Sequence, residues 1–82
     1  MTVVNELGMH ARSAAQISEI AKKARFPIWL QRNNERVDAR SIIDILTLAC
    51  EKGSTVTIVI EDPADLNTLN GIIKLIQDGF GE

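Results

Sequence analysis

The segment that decides the fold is residues 28–38, IWLQRNNERVD, near the middle of an 82-residue chain. Residues 28–32 and residues 35–38 each have the composition of a short strand. Between them, Asn33 and Asn34 tolerate the positive φ angles that a tight turn requires. The sequence therefore predicts a β-hairpin here.

Helical patterns flank this hairpin on both sides. Before it, a helix is predicted from about residue 11 to residue 24, and Pro27 stops it. After it, Ser41 with Asp44 three residues later resembles a capping box, which places the start of a second helix at Ser41. The inward side of the first helix is predicted to hold small and apolar residues at spacings of three and four: Ala14, Ile17, Ala21 and Ala24.

Two further strands and a third helix are predicted outside this central region. Residues 2–4 predict a short strand, and residues 55–60, TVTIVI, alternate in the way typical of a half-buried strand. Asp62 and Pro63 form a helix-start signal, with Asp as the cap and Pro in the first turn. The inward stripe of the third helix is predicted to consist of Leu66, Leu69, Ile73, Ile76 and Phe80.

These elements follow the order βαββαβα within one domain, residues 1–82. Alternating strands with interspersed helices indicate an α+β fold, in which an antiparallel sheet carries helices on one face. No internal repeat, linker or low-complexity segment divides the chain.

The second helix is unusually apolar, because six of the eight positions from residue 42 to residue 49 are apolar. A surface helix needs only one apolar stripe. A helix sunk deep in the core is one interpretation, but a domain of this size has little material to surround it. The favoured interpretation turns Ile45, Leu48 and Ala49 inward and leaves an exposed face suited to partners. This α2 outer face consists of Ile42, Ile43, Leu46 and Thr47.

Composition excludes several classes of protein. One cysteine, Cys50, cannot form an internal disulfide, and no signal sequence or membrane-length apolar segment occurs, so a cytoplasmic protein is expected. Residues 1–50 carry seven basic and five acidic side chains, whereas residues 51–82 carry two and six. The first half is therefore expected to meet an acidic protein surface. Without clustered metal ligands, a nucleotide loop or an aromatic platform, we expect no metal, cofactor, nucleic acid or membrane partner.

His10 is the single histidine, and it stands at the predicted start of the first helix. The leading N–H groups of a helix lack internal partners and its dipole is positive there, so this position suits a nucleophile that carries a phosphate. Arg12 adds a permanent cation whose forked donors match phosphate oxygens. Ser13 and Ser18 have no triad partner other than His10, which argues against an independent hydrolase.

Three motifs resemble the HPr family, the histidine-containing phosphocarriers of the bacterial phosphotransferase system. They are residues 7–12, LGMHAR, residues 40–43, RSII, and residues 79–82, GFGE. Ser41 lies thirty-one residues after His10, as the regulatory serine of the family does after its active histidine. The resemblance covers nearly the whole chain. It implies a two-layer open-faced β-sandwich, with a four-stranded antiparallel sheet in the order 1-4-2-3 and three helices on one face.

The resemblance also implies a function. Enzyme I, itself phosphorylated by phosphoenolpyruvate, would pass the phosphoryl group to His10, and phospho-His10 would deliver it to a IIA component. The motif around His10 fits the HPr proteins of both the sugar branch and the nitrogen branch of the system. The protein would be a monomeric relay and not an enzyme. Ala11, Arg12 and Ser13 would hold the phosphate, and the α2 outer face would dock the partners.

Ser41 and Ser13 are open to alternative interpretations. The resemblance implies that HPr kinase/phosphorylase phosphorylates Ser41 and that regulatory proteins are further partners. The place of Ser41 at a helix cap is, however, a sufficient structural reason for a serine. Ser13 stands where the family usually has proline, and Asp44 where many members have glycine or lysine. An HPr-fold regulatory binding module without carrier activity is therefore the alternative function. His10 and Arg12 argue against it, because a pure binder needs neither.

Overall fold

A computed structural model describes residues 10–48 and 53–81 of the chain. The predicted strand at residues 2–4, together with Ala49 and Cys50, lies outside these described residues. A short 3₁₀ turn, Pro63–Asp65, precedes the last α-helix, and the turn Gly79–Gly81 follows it. The main elements are α1 Ala11–Ala21, β1 Ile28–Arg32, β2 Glu35–Asp38, α2 Ile42–Thr47, β3 Thr57–Ile60 and α3 Leu66–Gln77.

The central hairpin forms as the sequence predicts. β1 and β2 have the predicted bounds, and Asn33 adopts a φ of 56° in the turn that joins them. β1 is the middle strand of the described sheet, with β2 on one side and β3 on the other, both antiparallel to it. The α+β class and the antiparallel pairing are thus confirmed. The fourth strand and the order 1-4-2-3 remain predictions.

The two faces of the sheet differ because successive residues of a strand point to opposite sides. Ile28 and Leu30 of β1 are fully buried against the helices, whereas Trp29 is only half-buried on the other face. There, the indole N–H of Trp29 donates to the carboxylate of Glu61 at 3.0 Å. The core between sheet and helices contains Ala14, Ile17, Ala21, Ile28, Leu30, Ala39, Ile45, Leu48, Val56, Ile72, Ile76 and Phe80.

α1 ends at Ala21, three residues before the predicted end. The N–H groups of Lys23 and Ala24 bond to carbonyls only three residues back, at 3.0 and 3.1 Å, so the helix tightens and stops. The next two N–H groups, those of Arg25 and Phe26, donate to the carboxylate of Asp65 at 2.8 and 3.0 Å. A residue forty positions away therefore takes over the backbone donors that a longer helix would have used.

The inward stripe of α3 agrees with the prediction at Ile76 and Phe80 but differs from it in the first half of the helix. Ile72, Ile76 and Phe80 are buried, whereas Leu69 and Ile73 are half-buried and Leu66 is 50% exposed. Asp65, directly before α3, is itself buried because it bonds to the end of α1. Since adjacent helical residues differ by about 100° in direction, an inward Asp65 turns Leu66 toward solvent. The predicted inward position of Leu66 is wrong.

The backbone enters the left-handed region directly after α3. Gly79, Phe80 and Gly81 have φ angles of 64°, 59° and 76°, all in the left-handed region. Glycine adopts this conformation freely, but a bulky residue does so at a cost of about 1–2 kcal/mol. Phe80 is nevertheless only 2% exposed, so burial of its ring offsets the backbone strain.

The double hydrogen bond of Asp65 is expected to be a large contributor to stability. Asp65→Ala leaves the N–H groups of Arg25 and Phe26 without acceptors in a partly buried site, and should lower the free energy of unfolding by about 2–4 kcal/mol. Urea denaturation followed by circular dichroism measures this loss. Asp62→Asn is the matched control, because asparagine replaces aspartate as a helix cap with little loss. A loss for Asp65→Ala no larger than that of the control would contradict this role.

Candidate functional site

His10 begins α1 as its N-cap residue. Its backbone is extended, with φ −116° and ψ −178°, and its ring folds back over the first turn. Nδ1 accepts the N–H of Arg12 at 3.3 Å, and the side chain also accepts the backbone N–H of Ser13. In this arrangement the lone pair of Nδ1 points toward the backbone N–H groups of the first turn. The imidazole is half-buried, which leaves part of it accessible to another molecule.

Ser13 completes the cap from the other side. Its hydroxyl accepts the backbone N–H of His10 at 2.8 Å and donates to the carbonyl of the same residue at 3.0 Å. His10 and Ser13 thus form a reciprocal capping box in which a histidine takes the place of the usual serine or aspartate. Ser13, which is predicted to bind phosphate, is fully buried, and its hydroxyl lies against the His10 backbone.

Arg12 and Ala11 are exposed at the start of α1. Within residues 10–48 and 53–81, no carboxylate pairs with the guanidinium of Arg12, and the first turn of α1 contains no acidic residue. Backbone N–H donors therefore surround Nδ1 without an anionic competitor from that turn, and the chain supplies a cation two residues away at Arg12. Such a place favours an anion such as a phosphoryl group.

Ser41 is the N-cap of α2, as its sequence predicts. Its hydroxyl oxygen accepts the N–H of Asp44 at 3.3 Å. The reciprocal half of a capping box is missing, since the N–H of Ser41 donates to the carbonyl of Asp38 at 3.1 Å. The side chain of Asp44 is consequently not used by the cap.

Arg40, next to Ser41, is fixed by two other residues. The buried hydroxyl of Ser18 in α1 donates to its carbonyl at 2.7 Å. Asp38 accepts from its backbone N–H at 2.8 Å and from its guanidinium at 2.7 Å. The hydrogen bonds from Arg40 hold the pKa of Asp38 below its usual range, and Asp38 in turn raises the pKa of Arg40. This clamp ties the start of α2 to the middle of α1.

The α2 outer face has the predicted exposure. Ile43 is 75% exposed, while Ile42 and Leu46 are 38% and 37% exposed. Ile45 and Leu48 point into the core, as predicted. At the other end of this short helix, the guanidinium of Arg32 donates to the carbonyl of Leu48 at 2.8 Å, a favourable place for a cation. α2 is therefore held at both ends with its apolar side uncovered by the described part of the chain.

Ser18, Asp38 and Arg32 support this region, although none of them is predicted to do so from the sequence. A polar residue in the inward stripe of α1 was a signal for Ser18, and an acid two positions before Arg40 was a signal for Asp38. A groove of about 340 Å³ lies elsewhere, between the end of β3 and the start of α3, and contains none of the predicted site residues.

Other chemistries find no support in the described residues. No group of three or more His, Cys, Asp or Glu side chains within residues 10–48 and 53–81 is placed to hold a metal ion. Among the helices of that same region, none has the length and apolar character needed to cross a membrane.

Comparison with known proteins gives a consistent result. A family model described as "PTS HPr component phosphorylation site" matches residues 1–78. The phosphocarrier protein HPr of Cupriavidus necator is 36% identical over 81 residues, which cover 99% of this chain and 91% of that protein. That of Treponema pallidum is 38% identical over 80 residues, covering 98% and 91%.

A solved structure agrees as well. Crystalline HPr-C-His from Thermoanaerobacter tengcongensis superposes with a TM-score of 0.93 at 32% identity, covering 100% of this chain and 92% of that one. The family match spans most of the chain, and two relatives exceed 30% identity over nearly its full length. The chain therefore belongs to the HPr family, the phosphocarrier proteins of the bacterial phosphotransferase system.

Proposed function

We propose that Nδ1 of His10 accepts a phosphoryl group from phospho-enzyme I and delivers it to a IIA component of the sugar or nitrogen branch, in the cytoplasm. The observation that carries this proposal is the cap of α1, in which Nδ1 faces backbone N–H donors. A phosphoryl group bonded to Nδ1 would take the place of that lone pair. The N–H groups of Arg12 and Ser13 would then donate to its oxygens without any rearrangement of the helix.

The surroundings of His10 support a carrier and not a catalyst. Transfer of a phosphoryl group depends on in-line positioning and charge neutralisation more than on covalent machinery in the protein. Arg12 is exposed and close in sequence, so its guanidinium can add two parallel bonds to phosphate oxygens. A half-buried ring at the end of a helix is also accessible to two partners in turn. HPr-family proteins are such carriers.

The α2 outer face is proposed as the docking surface for these partners. Three large apolar side chains, Ile42, Ile43 and Leu46, are exposed together on one short helix, and such patches mark interaction sites. The Ser18–Arg40 hydrogen bond fixes this helix to α1, which begins at His10. Docking on α2 would therefore hold a partner in a defined relation to the imidazole. The carrier is proposed to act as a monomer, although an HPr dimer from Thermoanaerobacter tengcongensis is also known.

A labelling assay tests the carrier function against the alternative of a binding module without transfer. The protein is incubated with labelled phosphoenolpyruvate and enzyme I of either branch. Acid-labile, base-stable label on the protein is the expected result, because phosphohistidine has that stability. A protein that binds enzyme I but takes no label would be a binding module.

Replacing His10 should abolish label uptake while the fold remains. His10→Ala removes both the nucleophile and the cap, with a loss of about 1 kcal/mol in stability. His10→Asn is the matched control for folding, because asparagine caps the helix but accepts no phosphoryl group. Full-rate transfer by either variant would exclude His10 as the acceptor.

Arg12→Ala should slow phosphoryl transfer roughly ten- to a hundredfold, since a charge-assisted contact to the phosphate is lost, at a cost of ~1.5–3 kcal/mol. Rapid-quench measurement of label uptake gives the rate. Arg36→Ala is the control, because Arg36 is an exposed arginine of β2 that bonds only to Gln31 among the described residues. Equal slowing in both variants would show a general effect of charge.

Ser13→Pro is expected to keep transfer within about tenfold of the native rate, or ~1.4 kcal/mol in the barrier. Proline removes the hydroxyl and one N–H donor but stiffens the first turn, and these effects oppose each other. Ser13→Ala, which keeps the N–H, separates the two. If only Ser13→Pro took label, the native chain would be a carrier that has lost its activity.

Phosphorylation of Ser41 by HPr kinase/phosphorylase is proposed to regulate docking without unfolding α2. Ser41→Asp keeps an oxygen acceptor at the cap, so the melting temperature should change little, while the added charge beside Ile43 should weaken transfer from enzyme I. Calorimetry and the labelling assay measure the two effects. A large fall in melting temperature, or unchanged transfer, would contradict this mechanism.

A further inference from the structure

Asp44 is the one acidic residue of α2, and it lies at the edge of the α2 outer face. Helical geometry places it between Thr47, on that face, and Leu48, in the core. Both of its backbone polar groups are hydrogen-bonded. Its N–H donates to the Ser41 hydroxyl oxygen, and its carbonyl accepts from the Thr47 hydroxyl at 2.6 Å. Its exposed side chain takes no part in these bonds.

No cation of the described residues neutralises this carboxylate. Arg40 stands four residues earlier, the spacing at which an acid and a base can pair near a helix start. Its guanidinium is instead bound by Asp38, with contacts of 2.7, 3.1 and 3.2 Å. The buried Ser18 hydroxyl also holds the Arg40 carbonyl, so the loop cannot easily turn this arginine toward α2.

An unpaired carboxylate at the edge of the α2 outer face, on the side of Thr47 and Ile43, restricts which surface can cover that edge. An apolar or acidic surface would remove water from Asp44 without replacing its hydrogen bonds, which is unfavourable. A surface with a cation at this edge would complete the contact. Asp44 thus favours binding of a partner with a basic side chain at this edge and disfavours binding of an apolar or acidic surface.

We infer that the docking partner presents a lysine or arginine side chain opposite Asp44, at the border of an apolar contact with Ile43. This inference rests on the proposed function for the use of the α2 outer face. The charges of the interface would then differ from place to place. The basic groups of α1 would meet acidic groups of the partner, whereas Asp44 at this edge of α2 would meet a basic group. Charge at the rim of an interface mainly changes the association rate and its salt dependence.

The test measures binding of enzyme I to a charge series at position 44, by calorimetry, together with KM and kcat for label uptake. Asp44→Asn should raise the dissociation constant and KM about two- to fivefold at low salt, and Asp44→Lys about tenfold, with kcat unchanged. Asp44→Glu keeps the charge and should stay close to the native protein. Differences within the series should shrink at high salt, since an exposed pair is screened.

Glu61→Gln is the matched control. Glu61 bonds to Trp29 on the face of the sheet opposite the helices, so this variant removes one negative charge away from α2 and still offers an oxygen to the indole. Equal weakening by this control and by Asp44→Asn would show an effect of net charge and overturn the inference. A tighter complex for Asp44→Lys would also overturn it, because the facing group would then be acidic.

The two proposals fail in different ways. If the native protein takes no label from enzyme I but binds it, the carrier function fails, and the order of affinities in the charge series still decides the inference. If the native protein takes label and the series shows no order, the carrier function stands and the role of Asp44 is excluded. A native protein that does not bind enzyme I overturns both.

Discussion

The first turn of α1 imposes the constraint on which the functional region depends. Every helix begins with backbone N–H groups that need acceptors, and they are commonly met by a serine or an aspartate. Here the acceptor is an imidazole nitrogen, and Ser13 returns the contact to the His10 backbone. In the proposed carrier, the same two N–H groups would donate to the Nδ1 lone pair before phosphorylation and to phosphate oxygens after it, so one nitrogen would serve both the helix cap and the transfer.

A second constraint joins the two helices of the functional region. Ser18 and Asp38 hold residue 40 from both sides, so α2 begins at a place defined by α1. This arrangement affects both the position of α2 and the charge beside it. The apolar side of α2 is presented as part of a firm surface, and Arg40 is withdrawn from Asp44. A contact that stabilises the fold thereby determines which charge remains free for recognition.

Local signals in the sequence predicted local features well. The asparagine turn, the Ser41 cap and the division of α2 into inward and outward sides each depend on a few neighbouring residues, and each is present. The failures share a physical cause. The end of α1 and the outward direction of Leu66 are set by Asp65, whose partners lie forty and thirty-nine positions away in the chain. The candidate site shows the same difference. The position of His10 at a helix start is predictable from the residues next to it, whereas the Ser18–Arg40 hydrogen bond joins residues twenty-two positions apart.

The left-handed turn around Phe80 also affects how the protein is made. Its ring fills the core from a segment synthesised seventy residues after His10. On the ribosome, α1 and the hairpin leave the exit tunnel early, but their apolar sides lack this last filler until residue 80 has emerged. Tertiary packing is therefore a late event in synthesis. Until this segment has emerged, the apolar residues of the core lack a full set of packing partners.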